Sequence, residues 1–187
     1  MSEHEILDAC CGGRMWWWNK NHPLAIYMDN RVVPKGQQTG IGSESRHGSG
    51  SWACEPDVVG DFRDMPFDDE TFRMVLFDPP HVIRDEIRGH VTLQYGALPK
   101  ATAPEDLRRG FAECWRVLAL GGSLIFKWAG DPGRVRPFFP AVPIVGTKVV
   151  RGGGGLGTRW FVFYKPLTGI GDGAMGQLAF DSGERTR

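Results

Sequence analysis

Residues 73–81 constrain the fold more than any other stretch, and they read Arg-Met-Val-Leu-Phe-Asp-Pro-Pro-His. The nearly continuous apolar run is typical of a strand that is buried on both faces of a sheet. Two successive prolines then prevent both a helix and further sheet pairing, so the strand must end at Asp78. Open parallel α/β sheets bind their ligands at the carboxyl ends of the strands. The stretch therefore predicts a functional site at Asp78.

Three other apolar segments are predicted strands with a carboxylate near the carboxyl end: residues 5–10 with Asp8, residues 23–29 with Asp29, and residues 57–61 with Asp61. Gly12 and Gly13 follow the first strand and, having no Cβ, let backbone N–H groups approach a ligand closely. With a helix predicted to begin within residues 14–18, they form the first βα unit of a nucleotide-binding sheet. Asp29 is then placed to accept hydrogen bonds from ribose hydroxyls.

Residues 102–121 carry the strongest helical pattern. Thr102 and Glu105 predict a capping box, with Pro104 in the first turn. Apolar residues then recur at helical spacing until a Gly-Gly pair, which predicts the end of the helix.

The last third of the chain is rich in predicted strands. Residues 123–128 form a fifth strand that ends in Lys127 and Trp128, at the same sheet edge as the Pro-Pro turn. Two further β-rich runs, residues 142–150 and 158–164, are separated by four glycines and predict a terminal hairpin.

Two segments predict loops, and one predicts a tail. Residues 34–51 hold five glycines and four serines, which indicates a mobile loop. Residues 82–103 are polar and irregular, which favours a lid or a substrate loop. Residues 166–187 are glycine-rich and predict a flexible tail after a single domain over residues 1–165.

Composition limits the choice of partners. A chain of 187 residues that is 41% apolar suits one domain with a real core. Because 22 basic and 22 acidic residues cancel, a nucleic-acid partner would need a local basic patch. Residues 132–171 contain six Lys or Arg and no acid, whereas residues 55–86 contain ten acids and three bases, so the former are the candidate contact for a phosphate backbone. No apolar run reaches the roughly 20 residues that cross a bilayer.

Cysteine usage favours reduced thiols. Cys10, Cys11, Cys54 and Cys114 form no CxxC pattern, and no secretory leader is recognisable, so a cytoplasmic protein is expected. A zinc site built from Cys10, Cys11, Cys54 and a histidine is a minor alternative, and we expect no metal.

The strand-terminal acids and the Pro-Pro turn together resemble the S-adenosylmethionine-dependent methyltransferases of the seven-stranded Rossmann-like class. Residues 78–81, Asp-Pro-Pro-His, are similar to the (Asp/Asn/Ser)-Pro-Pro-(aromatic) motif of enzymes that methylate exocyclic amino groups in nucleic acid. The layout over about residues 5–165 resembles small phage-encoded DNA methyltransferases. The resemblance implies a single α/β domain with a mostly parallel seven-stranded sheet and an antiparallel C-terminal hairpin.

The resemblance also implies roles for individual residues. Those expected to bind S-adenosylmethionine are Asp8, Cys10, Cys11, Gly12 and Gly13 at the methionine part, Asp29 at the ribose, and Asp61 with Phe62 at the adenine. Those expected in the catalytic turn are Asp78 and the Pro79 carbonyl, which would accept hydrogen bonds from the target amino group, followed by Pro80 and His81. Where His81 stands, the family usually has an aromatic residue that stacks on the flipped base. Candidates to supply that stack or to bind substrate are Tyr95, Lys127, Trp128, Arg159 and Trp160.

The implied activity is methylation of a DNA base at N6 of adenine, ahead of N4 of cytosine, in the cytoplasm, which would be the host cytoplasm for a phage protein. The alternatives are the same fold acting on RNA, a protein amide or a small molecule, and a binding module without catalysis, which His81 motivates. Carbon methylation through a cysteine is disfavoured, because no Pro-Cys turn follows the fourth strand.

Overall fold

A computed structural model of the chain describes residues 4–35, 52–87, 90–130, 132–148 and 157–167. These residues form seven strands: β1 (Ile6–Asp8), β2 (Ala25–Asp29), β3 (Val58–Val59), β4 (Phe72–Phe77), β5 (Leu118–Ala129), β6 (Val145–Lys148) and β7 (Thr158–Tyr164). They also form two α-helices, α1 (His90–Tyr95) and α2 (Ala103–Val117), and short 3₁₀ turns at Pro132–Arg134 and Arg136–Phe138.

The strands make one sheet in the order β3-β2-β1-β4-β5-β7-β6. Strands β1 to β5 are parallel, and β7 is antiparallel to both β5 and β6. The predicted α/β fold, a mostly parallel seven-stranded sheet with an antiparallel C-terminal hairpin, is therefore confirmed. Asp8 pairs with Tyr27 on one side and with Leu76 on the other, so the carboxyl ends of β1, β2 and β4 meet at one edge.

The core lies between the sheet and α2. Phe77 of β4 contacts the ring of Phe111 in α2 at a centroid distance of 5.3 Å, and Phe111 contacts Phe126 of β5 at 4.7 Å. All three rings are buried, and each contributes roughly 1.5–3 kcal/mol through removal of apolar surface from water. The apolar run of β4 thus forms the central strand that its sequence predicts.

Helix α2 ends earlier than predicted. It stops at Val117, and Leu118 already adopts an extended conformation and begins β5, so the predicted end at Gly121 is wrong. The Lys165 ammonium donates to the carbonyls of Trp115 (3.0 Å) and Leu118 (2.7 Å). A side chain from the end of β7 thus satisfies carbonyls at the helix terminus, and no glycine cap is needed.

The capping box is also wrong. The Thr102 hydroxyl donates to Asp106 Oδ2 at 2.8 Å and caps no backbone N–H group. Glu105 accepts from Arg108 Nε at 2.7 Å. The two side chains of the predicted cap therefore bind other side chains: Thr102 binds Asp106, and Glu105 forms an exposed ion pair with Arg108.

The structure corrects the prediction of a helix at residues 14–18 and the prediction that residues 82–103 are irregular. No helix begins within residues 14–18, which form turns. The segment 82–103, predicted as irregular, contains α1 and a parallel bridge between Ile83 and Leu98. Residues 36–51 of the predicted mobile loop and residues 168–187 of the predicted tail lie outside the described residues.

Within the described ranges, no helix is long and apolar enough to cross a membrane.

Candidate active site

A cavity of about 350 Å³ opens at the carboxyl ends of β1, β2 and β4. The predicted site residues that line it are Asp8, Cys10, Cys11, Gly12, Gly13, Asp29, Phe62, Asp78, Pro79, Pro80, His81 and Tyr95. A wider groove of about 830 Å³ lies between α2 and residues 137–140, away from the strand-end carboxylates. Most of the side chains predicted for the site therefore lie around the smaller cavity.

Asp8 is a buried carboxylate at the end of β1. The indole N–H of Trp17 donates to its Oδ2 at 2.7 Å. Burial raises the pKa of Asp8 from 3.8 to about 7, and the nearby carboxylates of Asp78 and Asp29 add to the rise, while the Trp17 hydrogen bond opposes it. The end of β1 therefore carries a group that changes charge near neutral pH.

Asp29, at the end of β2, is fully engaged by its neighbours. Its Oδ2 accepts from the backbone N–H of Gly12 at 3.0 Å and from Arg31 Nη2 at 3.2 Å. Its Oδ1 accepts from the backbone N–H and from Nε of Arg31, both at 3.0 Å. Arg31 Nη1 also donates to the carbonyl of Gln94 in α1 at 3.1 Å. A ribose hydroxyl would therefore share or replace one of these contacts, because a carboxylate has about four lone-pair sites.

Asp78, directly after β4, uses one of its two oxygens. Lys127 Nζ donates to Oδ2 at 2.6 Å, and the indole N–H of Trp16 donates to the same atom at 2.7 Å. The edge of Trp16 contacts Trp160 of β7 at a centroid distance of 4.4 Å. The carboxylate is thus held in one orientation, with Oδ1 left for another group.

His81 and Trp128 lie beside that free oxygen. His81 Nδ1 is 3.9 Å from Asp78 Oδ1, and the His81 ring meets Trp128 edge-on at a centroid distance of 6.1 Å. In the described part of the chain, three buried side-chain polar atoms have no hydrogen-bond partner: Asp78 Oδ1, His81 Nδ1 and Trp128 Nε1. All three belong to this cluster. Native structures satisfy nearly all buried polar groups, so such a cluster indicates a place for a ligand.

Five predicted residues do not line the cavity: Asp61, Lys127, Trp128, Arg159 and Trp160. Asp61 is paired with Arg63, and that ion pair lowers the pKa of Asp61. Lys127 reaches the site through Asp78, and Trp128 is buried behind His81. Arg159 and Trp160 stand opposite Trp128 and Lys127 in the antiparallel β5–β7 pair.

Further residues that the sequence patterns did not single out for the site also line the cavity, among them Trp16, Arg31, Arg63 and Asp106. Asp106 is buried and accepts from Arg63 Nη1 at 2.8 Å. Trp16 belongs to a Trp-Trp-Trp run, which is a visible signal, but the sequence does not tell which of the three indoles faces the site. Arg63 and Asp106 carry no distinguishing pattern in the sequence.

The thiols near the cavity are held in the protonated form. A hydrogen bond with Cys54, together with burial, raises the pKa of Cys11, and burial raises the pKa of Cys10 and Cys114. Ligand atoms of Cys11, Asp29 and Cys54 lie within 4.8 Å of one another. Metal binding there would require deprotonation of a thiol and release of Asp29 from Arg31.

Two of the basic residues along 132–171, Lys165 and Arg159, lie toward opposite ends of β7. Lys165 turns toward the end of α2 and lies 3.4 Å from Glu70. Arg159, in contrast, lies at the Asp78 end of β7.

No protein-family model matches the chain, and a search of characterised proteins found no match. Among solved structures, a protein from Pyrococcus horikoshii is 16% identical, with 88% of this chain and 82% of that chain covered and a TM-score of 0.50. A SAM-dependent methyltransferase from Methanosarcina mazei is 12% identical, with 90% and 95% covered and a TM-score of 0.46. A candidate DNA modification methylase from Thermus thermophilus, complexed with S-adenosyl-L-methionine, is 17% identical, with 57% and 54% covered and a TM-score of 0.38. At these identities, structural likeness bears on the fold alone.

Proposed function

We propose that this protein is an S-adenosylmethionine-dependent methyltransferase that acts on an exocyclic amino group of a DNA base, with N6 of adenine favoured over N4 of cytosine. One observation carries the proposal: the carboxylates of Asp8, Asp29 and Asp78 line a single cavity that the Pro-Pro turn also borders. Its volume of about 350 Å³ falls within the roughly 300–1,000 Å³ of small-molecule sites.

The β1–β2 side of the cavity would hold the cofactor. The sulfonium and ammonium groups of S-adenosylmethionine are positive, and the buried carboxylate of Asp8 offers them a complementary charge. Gly12 brings backbone close to the cavity with φ of 46°, a conformation that favours glycine. Asp29 would accept from the ribose, and Phe62 would cover the adenine, with Asp106 as the carboxylate that lines that part of the cavity.

The turn after β4 would hold the acceptor. An amino group conjugated to an aromatic ring is a weak nucleophile, because its lone pair is delocalised. Asp78 and the carbonyl of Pro79 would accept its hydrogens and orient the lone pair toward the sulfonium methyl group, so that orientation and electrostatics lower the barrier. The cofactor, when bound, supplies the methyl group and the leaving group.

DNA is favoured as the substrate by the motif at residues 78–81 and by the residues beside it. Arg159 and Trp160 of β7 lie next to Trp128 and Lys127, which places a cation and aromatic rings near Asp78. Cations attract phosphates, and aromatic rings stack on bases. The base would have to leave the duplex to reach the cavity.

The test is methyl transfer from labelled S-adenosylmethionine to unmodified DNA and to RNA in parallel, followed by nucleoside digestion and mass spectrometry. We expect N6-methyladenine in DNA, with Asp78→Ala as the inactive control. Label in RNA alone would replace DNA with RNA as the substrate. Cofactor binding without transfer to either polymer would contradict the proposal and favour a protein amide, a small molecule or a silent binding module.

A further inference from the structure

His81 places a buried ring nitrogen beside the catalytic carboxylate. Its Nδ1 lies 3.9 Å from Asp78 Oδ1, and neither atom has a hydrogen-bond partner among the described residues. Asp78 Oδ2, in contrast, already accepts from Lys127 and Trp16. Oδ1 and Nδ1 are therefore two buried polar atoms without a partner at the end of β4, and Nδ1 accepts a proton in the imidazole tautomer that carries its hydrogen on Nε2.

The separation of these atoms suits one amino group. A hydrogen-bonded nitrogen lies about 2.9 Å from its acceptor. Two acceptors that are 3.9 Å apart can thus be reached by a single nitrogen at the same time. An amino nitrogen that donates one hydrogen to Asp78 Oδ1 can therefore also lie within proton-transfer reach of His81 Nδ1, with its second hydrogen directed to the Pro79 carbonyl before transfer.

On the premise of the proposed amino methylation, we propose that His81 is the base that takes the proton released by methyl transfer. The amino nitrogen forms a bond to the methyl carbon while the carbon–sulfur bond breaks, and the electron pair of that bond remains on sulfur. The methylated nitrogen then carries a positive charge and transfers one proton to Nδ1 of His81. The imidazolium passes this proton to water, and the methylated base leaves neutral.

The charges around His81 suit this role. Burial lowers its pKa below the usual 6.5, and Lys127 contributes to the shift, whereas Asp78 and a hydrogen bond with the Pro79 backbone oppose it. The Trp128 ring, which packs against His81 from β5, carries no charge. The imidazole is thus neutral at pH 7 and able to accept a proton, and the imidazolium formed later would be stabilised by Asp78.

The alternative is that His81 only stacks on the target base, as the family's aromatic residue does. The His81→Tyr variant distinguishes the two roles, because it supplies the aromatic ring that is usual in the family and removes the base. We would measure single-turnover transfer to DNA at saturating cofactor from pH 5 to 9, for the wild type, His81→Tyr and His81→Ala. Cofactor affinity and thermal unfolding show whether each variant is folded.

With His81 as the base, we expect His81→Tyr to lose at least about a hundredfold in rate and to lack the decline that the wild type shows below the His81 pKa. Added imidazole should partly restore His81→Ala. If the wild type methylates DNA and His81→Tyr keeps its rate and pH profile, the base role is overturned while the proposed function stands. If the wild type binds cofactor but methylates neither DNA nor RNA, both are overturned.

Discussion

Lys127 Nζ lies 2.6 Å from Asp78 Oδ2, which ties β5 to the residue that follows β4. The Trp16 and Trp160 rings flank this ammonium, at 5.4 Å and 5.9 Å from their centroids. Both partners of the ion pair are largely shielded from water, so their charge-assisted hydrogen bond is stronger than an exposed one. The position of Asp78 Oδ1 therefore depends on a residue that does not itself line the cavity.

We expect Lys127→Met to slow methyl transfer by at least about tenfold, equivalent to about 1.4 kcal/mol of barrier, because Asp78 loses the contact that orients it. Cofactor affinity should stay within about twofold, because Lys127 lies outside the cavity. Lys100→Met, at an exposed position in the segment before α2, is the matched control and should behave as the wild type. An equal loss in both variants would mean that general charge, not the ion pair, matters.

The three successive tryptophans provide a second test. Trp16 donates to Asp78, Trp17 donates to Asp8, and Trp18 is fully exposed. Trp16→Phe should slow transfer, Trp17→Phe should weaken cofactor binding, and Trp18→Phe should do neither. Stopped-flow transfer and titration calorimetry separate the effects. Three variants with the same phenotype would contradict the separate contacts.

Asp29 and Asp78 should serve different steps: Asp29 should matter for cofactor binding, and Asp78 for methyl transfer. Asp29→Ala removes the proposed ribose acceptor and deprives Arg31 of its carboxylate partner, so cofactor affinity should fall at least about tenfold, or about 1.4 kcal/mol. Asp78→Ala should abolish transfer and spare affinity. Equilibrium titration with S-adenosylmethionine measures the first effect, and single-turnover assays measure the second. Equal losses of cofactor affinity in the two variants would contradict the division of the cavity.

Cofactor binding should strengthen as pH rises toward neutrality. The pKa of Asp8 is raised to about 7, so the unliganded protein carries a proton there that a cationic cofactor must expel. Affinity should therefore rise by up to about tenfold per pH unit below pH 7 and level off above it. Titration calorimetry in buffers of different ionisation enthalpy counts the released proton. Asp8→Asn should remove this pH dependence, and an unchanged dependence in that variant would assign it to another group.

The raised pKa of Asp8 also makes the free energy of unfolding depend on pH. Between about pH 4 and pH 7 the folded protein holds a proton on Asp8 that the unfolded chain has lost. The contribution of Asp8 to the stability of the unliganded protein therefore falls as pH rises through that window. Denaturant unfolding at pH 5 and pH 7.5 should show that Asp8→Asn gains stability relative to the wild type mainly at the higher pH.

Gly110 permits close packing of α2 against the sheet. A Cβ at this position would lie 2.7 Å from Phe62 and from Phe77. Gly110→Ala should lower stability by about 1–3 kcal/mol through overpacking, which outweighs the gain in helix propensity of at most about 1 kcal/mol. Since Phe62 lines the cavity, cofactor affinity should fall as well. Thermal unfolding that shows a more stable Gly110→Ala would contradict this packing argument.

The sequence by itself determined the sheet and most of its carboxyl edge. The strands β1 to β4 are local apolar runs, each ending at or directly before a carboxylate or a glycine, and such patterns depend on neighbours along the chain. The Pro-Pro turn allowed only one end for β4, and alternating or continuous apolar runs predicted β2 and β7. From these alone we expect Asp8, Asp29, Asp61 and Asp78 at one edge, and the structure brings Asp8, Asp29 and Asp78, but not Asp61, into the lining of one cavity.

Only the tertiary structure decided which groups surround those carboxylates. Lys127 and Asp78 are 49 positions apart, and Trp16 and Asp78 are 62 apart, so no local pattern couples them. The carbonyls at the end of α2 likewise accept from Lys165, which directly follows the last strand. The pKa of Asp8 depends on burial by the whole fold. Side-chain partners are set by distances in space, and residue spacing along the chain carries no record of them.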